Sequence, residues 1–140
     1  MVNTMKPAIT LILTAAFALG IPLADAADKV STVPVQFAKG TSSFSTTHNL
    51  RGYDSVNYTL NAKASQSMRV SLTGSSNVGF NIYAPGDVPG VATALGNGSV
   101  GQEWNGVLPD SGTYTVQVYQ VRAAARRGQQ AAYGISFAIH

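Results

Sequence analysis

Ser111-Gly112-Thr113-Tyr114-Thr115-Val116-Gln117-Val118-Tyr119-Gln120-Val121 runs into Arg122-Ala123-Ala124-Ala125-Arg126-Arg127-Gly128 and on to Tyr133. Ser111-Gly112 reads as a turn. From Thr113 to Val121 the residues alternate, with Tyr114, Val116 and Val118 on one face and Thr113, Thr115 and Gln117 on the other. That period of two is the mark of a half-buried β-strand. Alternation stops at Arg122 and resumes with Tyr133, Ile135, Phe137 and Ile139 on one face. Two strands therefore flank a compact loop that holds three of the chain's nine Lys and Arg residues. Arg122 and Arg126 are four apart, so one helical turn sets both on the same side. Loops carried on a rigid scaffold are where binding chemistry usually sits, which makes this loop the first candidate for function.

The same period recurs upstream. Val33, Val35 and Phe37 give a first strand, ended by the turn formers Lys39-Gly40-Thr41-Ser42-Ser43. Phe44 to Arg51 is polar and Thr-rich, and reads as an exposed or edge strand. Gly52-Tyr53-Asp54 makes a turn, after which Val56, Tyr58 and Leu60 point inward. Met68, Val70 and Leu72 repeat the scheme, as do Val78, Phe80 and Ile82. The Pro- and Gly-rich stretch from Ala84 to Gly101 predicts an irregular excursion, with Trp104 just beyond it and a brief strand at Val107 and Leu108. No segment keeps a helical period over a useful length. Seven or eight short antiparallel strands with frequent turn signals predict an all-β sandwich, with a short helical or irregular Arg-rich loop before the last strand.

Met1 to Ala26 has the form of a signal peptide: Lys6 ahead of an apolar run from Ala8 to Leu23, then Ala24-Asp25-Ala26 as a small-x-small cleavage site. Residues 27–140 are then a single exported domain, periplasmic or secreted, with no stable membrane span after cleavage. This part carries eight Lys plus Arg and five Asp plus Glu, a net charge of +3, too mild to mark a nucleic-acid binder. There is no cysteine, so stability must come from burial alone.

Catalytic chemistry is sparse. His48 and His140 are the only histidines and lack metal-ligand spacing. The carboxylates Asp28, Asp54, Asp87, Glu103 and Asp110 fall singly in turns or loops, where Asp commonly caps its own backbone. A carboxylate pair of the kind glycosidases use has no supporting motif. Neither an enzyme nor a cofactor is expected. The arginine loop says more, because guanidinium groups bind carboxylates bidentately and keep their charge at any working pH. Tyr53, between Gly52 and Asp54 at a turn, offers a stiff amphipathic contact of the kind found at interface hot spots.

Taken in order, Phe37-Ala38-Lys39-Gly40, Gly52-Tyr53-Asp54 with Tyr58, Pro109-Asp110-Ser111-Gly112-Thr113-Tyr114, and Arg122 through Arg126 to Tyr133 resemble the periplasmic inhibitors of g-type lysozyme. The likeness spans about Val35 to Ile139, although Asp87 to Gly101 finds no counterpart. It implies a β-sandwich whose protruding loops plug a g-type lysozyme's substrate cleft, protecting the cell wall. The resulting partner-binding candidates are Tyr53, Asp54, Ser111, Arg122, Arg126 and Arg127. An alternative remains open: a non-catalytic secreted sandwich that binds cell-wall glycan or another anionic polymer. The Gly112-Thr113-Tyr114-Thr115-Val116 hairpin also resembles the pre-peptidase C-terminal β-sandwich. The oligomeric state is not legible.

Overall fold

The computed structural model describes residues 28–140. The signal segment expected at Met1–Ala26 lies outside them. In chain order the elements are β1 (Val30–Pro34), β2 (Ser43–Arg51), β3 (Ser55–Ala62), β4 (Ser67–Gly74), β5 (Val78–Tyr83), β6 (Gly96–Ser99), β7 (Trp104–Val107), β8 (Gly112–Gln120), α1 (Arg122–Arg126) and β9 (Gln130–Ile139). They form two sheets, a five-stranded one in the order β1-β3-β8-β5-β6 and a four-stranded one in the order β2-β9-β4-β7.

The inward sets read from the sequence, joined by Leu50 of β2, meet between the sheets. Val56, Tyr58, Leu60, Val78, Phe80, Ile82, Tyr114, Val116 and Val118 come from one sheet; Leu50, Met68, Val70, Leu72, Tyr133, Ile135, Phe137 and Ile139 come from the other. Removal of this apolar surface from water is what drives the two layers together. At the centre, Tyr58 of β3 and Tyr133 of β9 share a hydrogen bond of 2.7 Å between their hydroxyls. The bond pairs two polar atoms that would otherwise be stranded in the core.

The sandwich expectation holds, with three differences in detail. The first strand is Val30–Pro34 rather than Val33–Phe37, and it pairs with β3 in parallel, at the edge of an otherwise antiparallel sheet. Val35 continues along that edge by donating its N–H to Thr59 O (2.7 Å), so Val35 and Phe37 still turn toward the core. The second difference is the brief strand expected at Val107 and Leu108, which instead spans Trp104–Val107. Phe44 to Arg51 is, as expected, an edge strand, pairing with β9 alone. The third difference is a ninth strand, β6, inside the glycine-rich excursion. The glycines of β6, and Gly106 of β7, are spacing devices: a Cβ on Gly98 would lie 2.5 Å from Phe80 Cζ, one on Gly96 would run into the Trp104 indole, and one on Gly106 would lie 2.6 Å from Trp104 Cζ2. Trp104 thus fits where β6 and β7, the last strands of the two sheets, come together.

At the start of β8, Tyr114 donates its hydroxyl to Asp110 O (2.6 Å) and accepts from Asp110 N–H (3.1 Å). This tyrosine corner fixes the Pro109–Ser111 turn.

Candidate functional site

β3 and β8 are antiparallel with Val56 opposite Val118, so the turn that leads into β3 lies beside the loop that leaves β8. Tyr53 and the arginine loop are brought together by that register. Three features hold them. Gly52 takes φ +55°, which its missing side chain permits, and donates its N–H to Gln129 O (2.9 Å). Asp54 N–H bonds Arg51 O (3.0 Å), closing the turn. Asp54 Oδ1 accepts the Lys29 N–H (2.8 Å), and Ser55 N–H bonds Lys29 O (2.8 Å), so the lead-in to β1 is tied to the same turn.

α1 is short but firmly seated. Ala124 and Ala125 are buried, their small side chains letting the helix lie close on the sandwich end, while Arg122, Ala123, Arg126 and Arg127 are exposed. The helix closes with Gly128 N–H to Ala125 O (2.9 Å) and Gln129 N–H to Ala124 O (3.3 Å), with Gly128 at φ +66°. That pair of bonds is the Schellman motif, which satisfies the last carbonyls and reverses the chain into β9. Arg126 in the final turn also suits the negative end of the helix dipole.

Behind both loops sits Gln120, only 5% exposed. Its Nε2 donates to Gln129 O (2.7 Å) and to Gly52 O (3.3 Å), one amide bridging the tyrosine turn and the segment after α1. Its Oε1 is buried with no partner among the described residues. The sequence shows Gln120 only as one more inward position of β8, and nothing there signals the bridge.

Between these elements lies an open groove of about 550 Å³, lined by Lys29, Arg51, Tyr53, Asp54, Ala125 and Arg126 among others. Tyr53 is 48% exposed. Arg122 and Arg127 stand on the same loop outside the groove lining, and Asp54 faces the groove while serving as the Lys29 acceptor. Ser111 is elsewhere. It precedes Gly112, which pairs with Ala62 at the far end of β8, nine residues or roughly 30 Å away at about 3.4 Å per residue. There its Oγ accepts the Ala64 N–H (2.8 Å). Lys29 and Arg51 were not among the sequence candidates. Arg51 immediately precedes the Gly52-Tyr53 turn, which was the available signal, whereas Lys29 reaches the groove only through the parallel pairing of β1.

The electrostatics follow from this clustering. Lys29, Arg51, Arg122, Arg126 and Arg127 share this end with Asp28 and Asp54, a local balance of +3. The remaining charges of residues 28–140 cancel, so the whole net charge of the described chain is at one end. Among the described residues the only salt bridge is Arg69 Nε to Glu103 Oε1 (3.2 Å), away from this end. The loop guanidinium groups therefore carry no internal counter-ion. Among the described residues, no three His, Cys, Asp or Glu side chains gather as a metal site.

The molecule is thus a rigid all-β sandwich that presents free cationic and phenolic side chains at one end, a surface suited to binding rather than to turnover. Comparison with known proteins makes the class specific. The inhibitor of g-type lysozyme from Escherichia coli K12 is 33% identical over 111 residues, covering 76% of this chain and 80% of that protein. The crystal structure of Aeromonas hydrophila PliG, a periplasmic inhibitor of g-type lysozyme, superposes with a TM-score of 0.79 at 51% identity, covering 81% of this chain and all of that one. Salmonella Typhimurium PliG gives 0.65 at 27% identity, with 79% and 98% covered. No family model matches the sequence. The chain belongs to the family of g-type lysozyme inhibitors.

Proposed function

We propose that this protein is an exported, periplasmic inhibitor of g-type lysozyme that acts by occupying the enzyme's substrate cleft. The groove end is the inserting surface, with Arg126 and Tyr53 at its centre and Arg122 and Arg127 flanking them. The observation that carries this reading is the loop pair itself: unpaired guanidinium groups and an exposed phenol, held by Gln120, Gly52 and the Schellman turn so that little order has to be gained on binding. A cleft that cleaves peptidoglycan carries acidic groups, and an arginine fork meets a carboxylate with two parallel charge-assisted hydrogen bonds. Ser111, at the opposite end, is not part of this surface.

An interface of standard size, about 1,600 Å² in total, suffices for tight binding. Truncating one partner of a buried, hydrogen-bonded charge pair costs about 2–5 kcal/mol, a loss of roughly thirtyfold or more. Arg126→Ala should therefore weaken inhibition of a g-type lysozyme by at least that factor while the fold is unchanged. Equal inhibition by a folded Arg126→Ala variant would remove Arg126 from the contact. The alternative, a basic end that grips an anionic polymer, is favoured only by the concentration of charge here. It predicts binding that collapses with salt and leaves lysozyme untouched.

A further inference from the structure

The outer face of the five-stranded sheet carries a row that the inhibitor reading does not use. Register alignment places Thr32, Asn57, Gln117, Asn81 and Asn97 side by side across β1, β3, β8, β5 and β6. Four consecutive positions are thus side-chain amides, one per strand, about 4.8 Å apart. Among the described residues none of the four makes a side-chain hydrogen bond, and Asn57 Oδ1 is buried without a partner. Asn57, Gln117 and Asn81 are half-buried and Asn97 is exposed, so the row is a floor, not a fringe.

The adjacent row supplies an aromatic platform. Tyr119 pairs across to Gly79, and a Cβ on that glycine would lie 3.3 Å from Tyr119 Oη and 3.4 Å from Cζ. The glycine lets the end of the Tyr119 ring lie over the neighbouring strand, where Tyr119 stays partly exposed. No charged side chain stands in either row, in contrast to the groove end.

We infer that this face binds an uncharged, extended glycan strand lying across the five β-strands, with the Asn57–Gln117–Asn81–Asn97 amides meeting its hydroxyl and acetamido groups and Tyr119 stacking on a sugar ring. The chemistry points to a glycan. Each amide offers both a donor and an acceptor, matching vicinal sugar hydroxyls. The inter-strand spacing is close to the rise of one pyranose along an extended β-1,4-linked chain. Asn57 can present its unpaired oxygen by rotating its terminal torsion, which is broad. A partly exposed aromatic ring suits the apolar side of a pyranose. A wall glycan fits this description and is the polymer on which a lysozyme works.

The site is separate from the groove end, so it can be tested apart from the inhibitor reading. The full mature chain is titrated with N-acetylglucosamine hexamer, followed by side-chain amide shifts in NMR, and co-sedimented with purified peptidoglycan sacculi at low and high salt. The expected result is saturable, salt-insensitive binding that shifts the Gln117 and Asn81 amides. It should fall at least tenfold in Asn81→Ala/Gln117→Ala and in Tyr119→Ala, and persist in Arg126→Ala. The Asn81→Ala/Gln117→Ala variant should keep the parent's circular dichroism spectrum and cooperative thermal unfolding, which shows that it folds. Absence of binding by the parent, or binding lost in Arg126→Ala and kept in the amide variant, overturns the proposal.

Discussion

Replacing Gln120 by Met removes the bridge between the two binding loops and leaves a side chain of similar length and shape. Two hydrogen bonds go, one at 2.7 Å to Gln129 O and a longer one at 3.3 Å to Gly52 O. At about 1 kcal/mol per bond the gross loss is about 2 kcal/mol. The unpartnered Oε1 goes with them, and removing a buried orphan acceptor offsets part of that loss. The net cost to stability is therefore about 1 kcal/mol, or about 3–5 °C in Tm for a chain of this size. The effect on binding should be larger in relative terms. The Tyr53 turn stays tethered only through Gly52 N–H and the Asp54 bonds, so its position relative to Arg126 is less well determined. Re-ordering on binding should then weaken inhibition roughly tenfold, which is about 1.4 kcal/mol. Thermal unfolding and the inhibition constant against a g-type lysozyme, measured well below Tm, read the two effects separately. A variant whose stability falls as expected but whose inhibition constant equals the parent's would refute the idea that Gln120 positions the loops.

Further outcomes follow from the same structure. Tyr58→Phe or Tyr133→Phe alone leaves a buried hydroxyl unpaired and should cost about 1–3 kcal/mol, whereas the double variant should cost less than the two single losses combined; urea unfolding of the four proteins closes the cycle. Burial, first of all, raises both phenols above the ordinary value of 10, and for Tyr133 its bond to Tyr58 adds to the rise. Their folded pKa values exceed the unfolded ones, so stability is full below pH 10 and declines as pH rises above it, by up to about 1.4 kcal/mol per pH unit for each phenol; either Phe variant should flatten that decline in unfolding curves taken across alkaline pH. Ser111→Ala should lose the Ala64 N–H contact at about 1 kcal/mol of stability and leave inhibition within twofold of the parent, since it stands at the other end. Gly98→Ala drives a methyl into Phe80 and should destabilise by about 1–3 kcal/mol, measured by denaturant midpoint.

The alternating runs were legible because each buries one face, and a slip of one residue would expose the whole inward set. The Tyr58 and Tyr133 assignments to the core follow from that alone. The arginine loop was legible as a break in alternation, and the spacing of Arg122 and Arg126 as one helical turn. β6 was hidden because its strand character comes from what it makes room for: Gly96 and Gly98 have no β-propensity of their own and pair only because Trp104 and Phe80 need their missing side chains. Ser111 lies apart from Tyr53 for a topological reason, since turns at opposite ends of β8 look alike in one dimension. Lys29 depended on a parallel pairing that no local pattern encodes, and Gln120 on a bridge between segments that are distant in sequence.

Residues 27–140 and their Arg126→Ala variant are each mixed with a purified g-type lysozyme, and inhibition constants are taken from the rate of peptidoglycan lysis. Tight inhibition by the parent and a loss of thirtyfold or more in the variant are expected, with circular dichroism and Tm unchanged. A parent that does not slow lysis, or a folded variant that slows it equally well, would contradict that expectation.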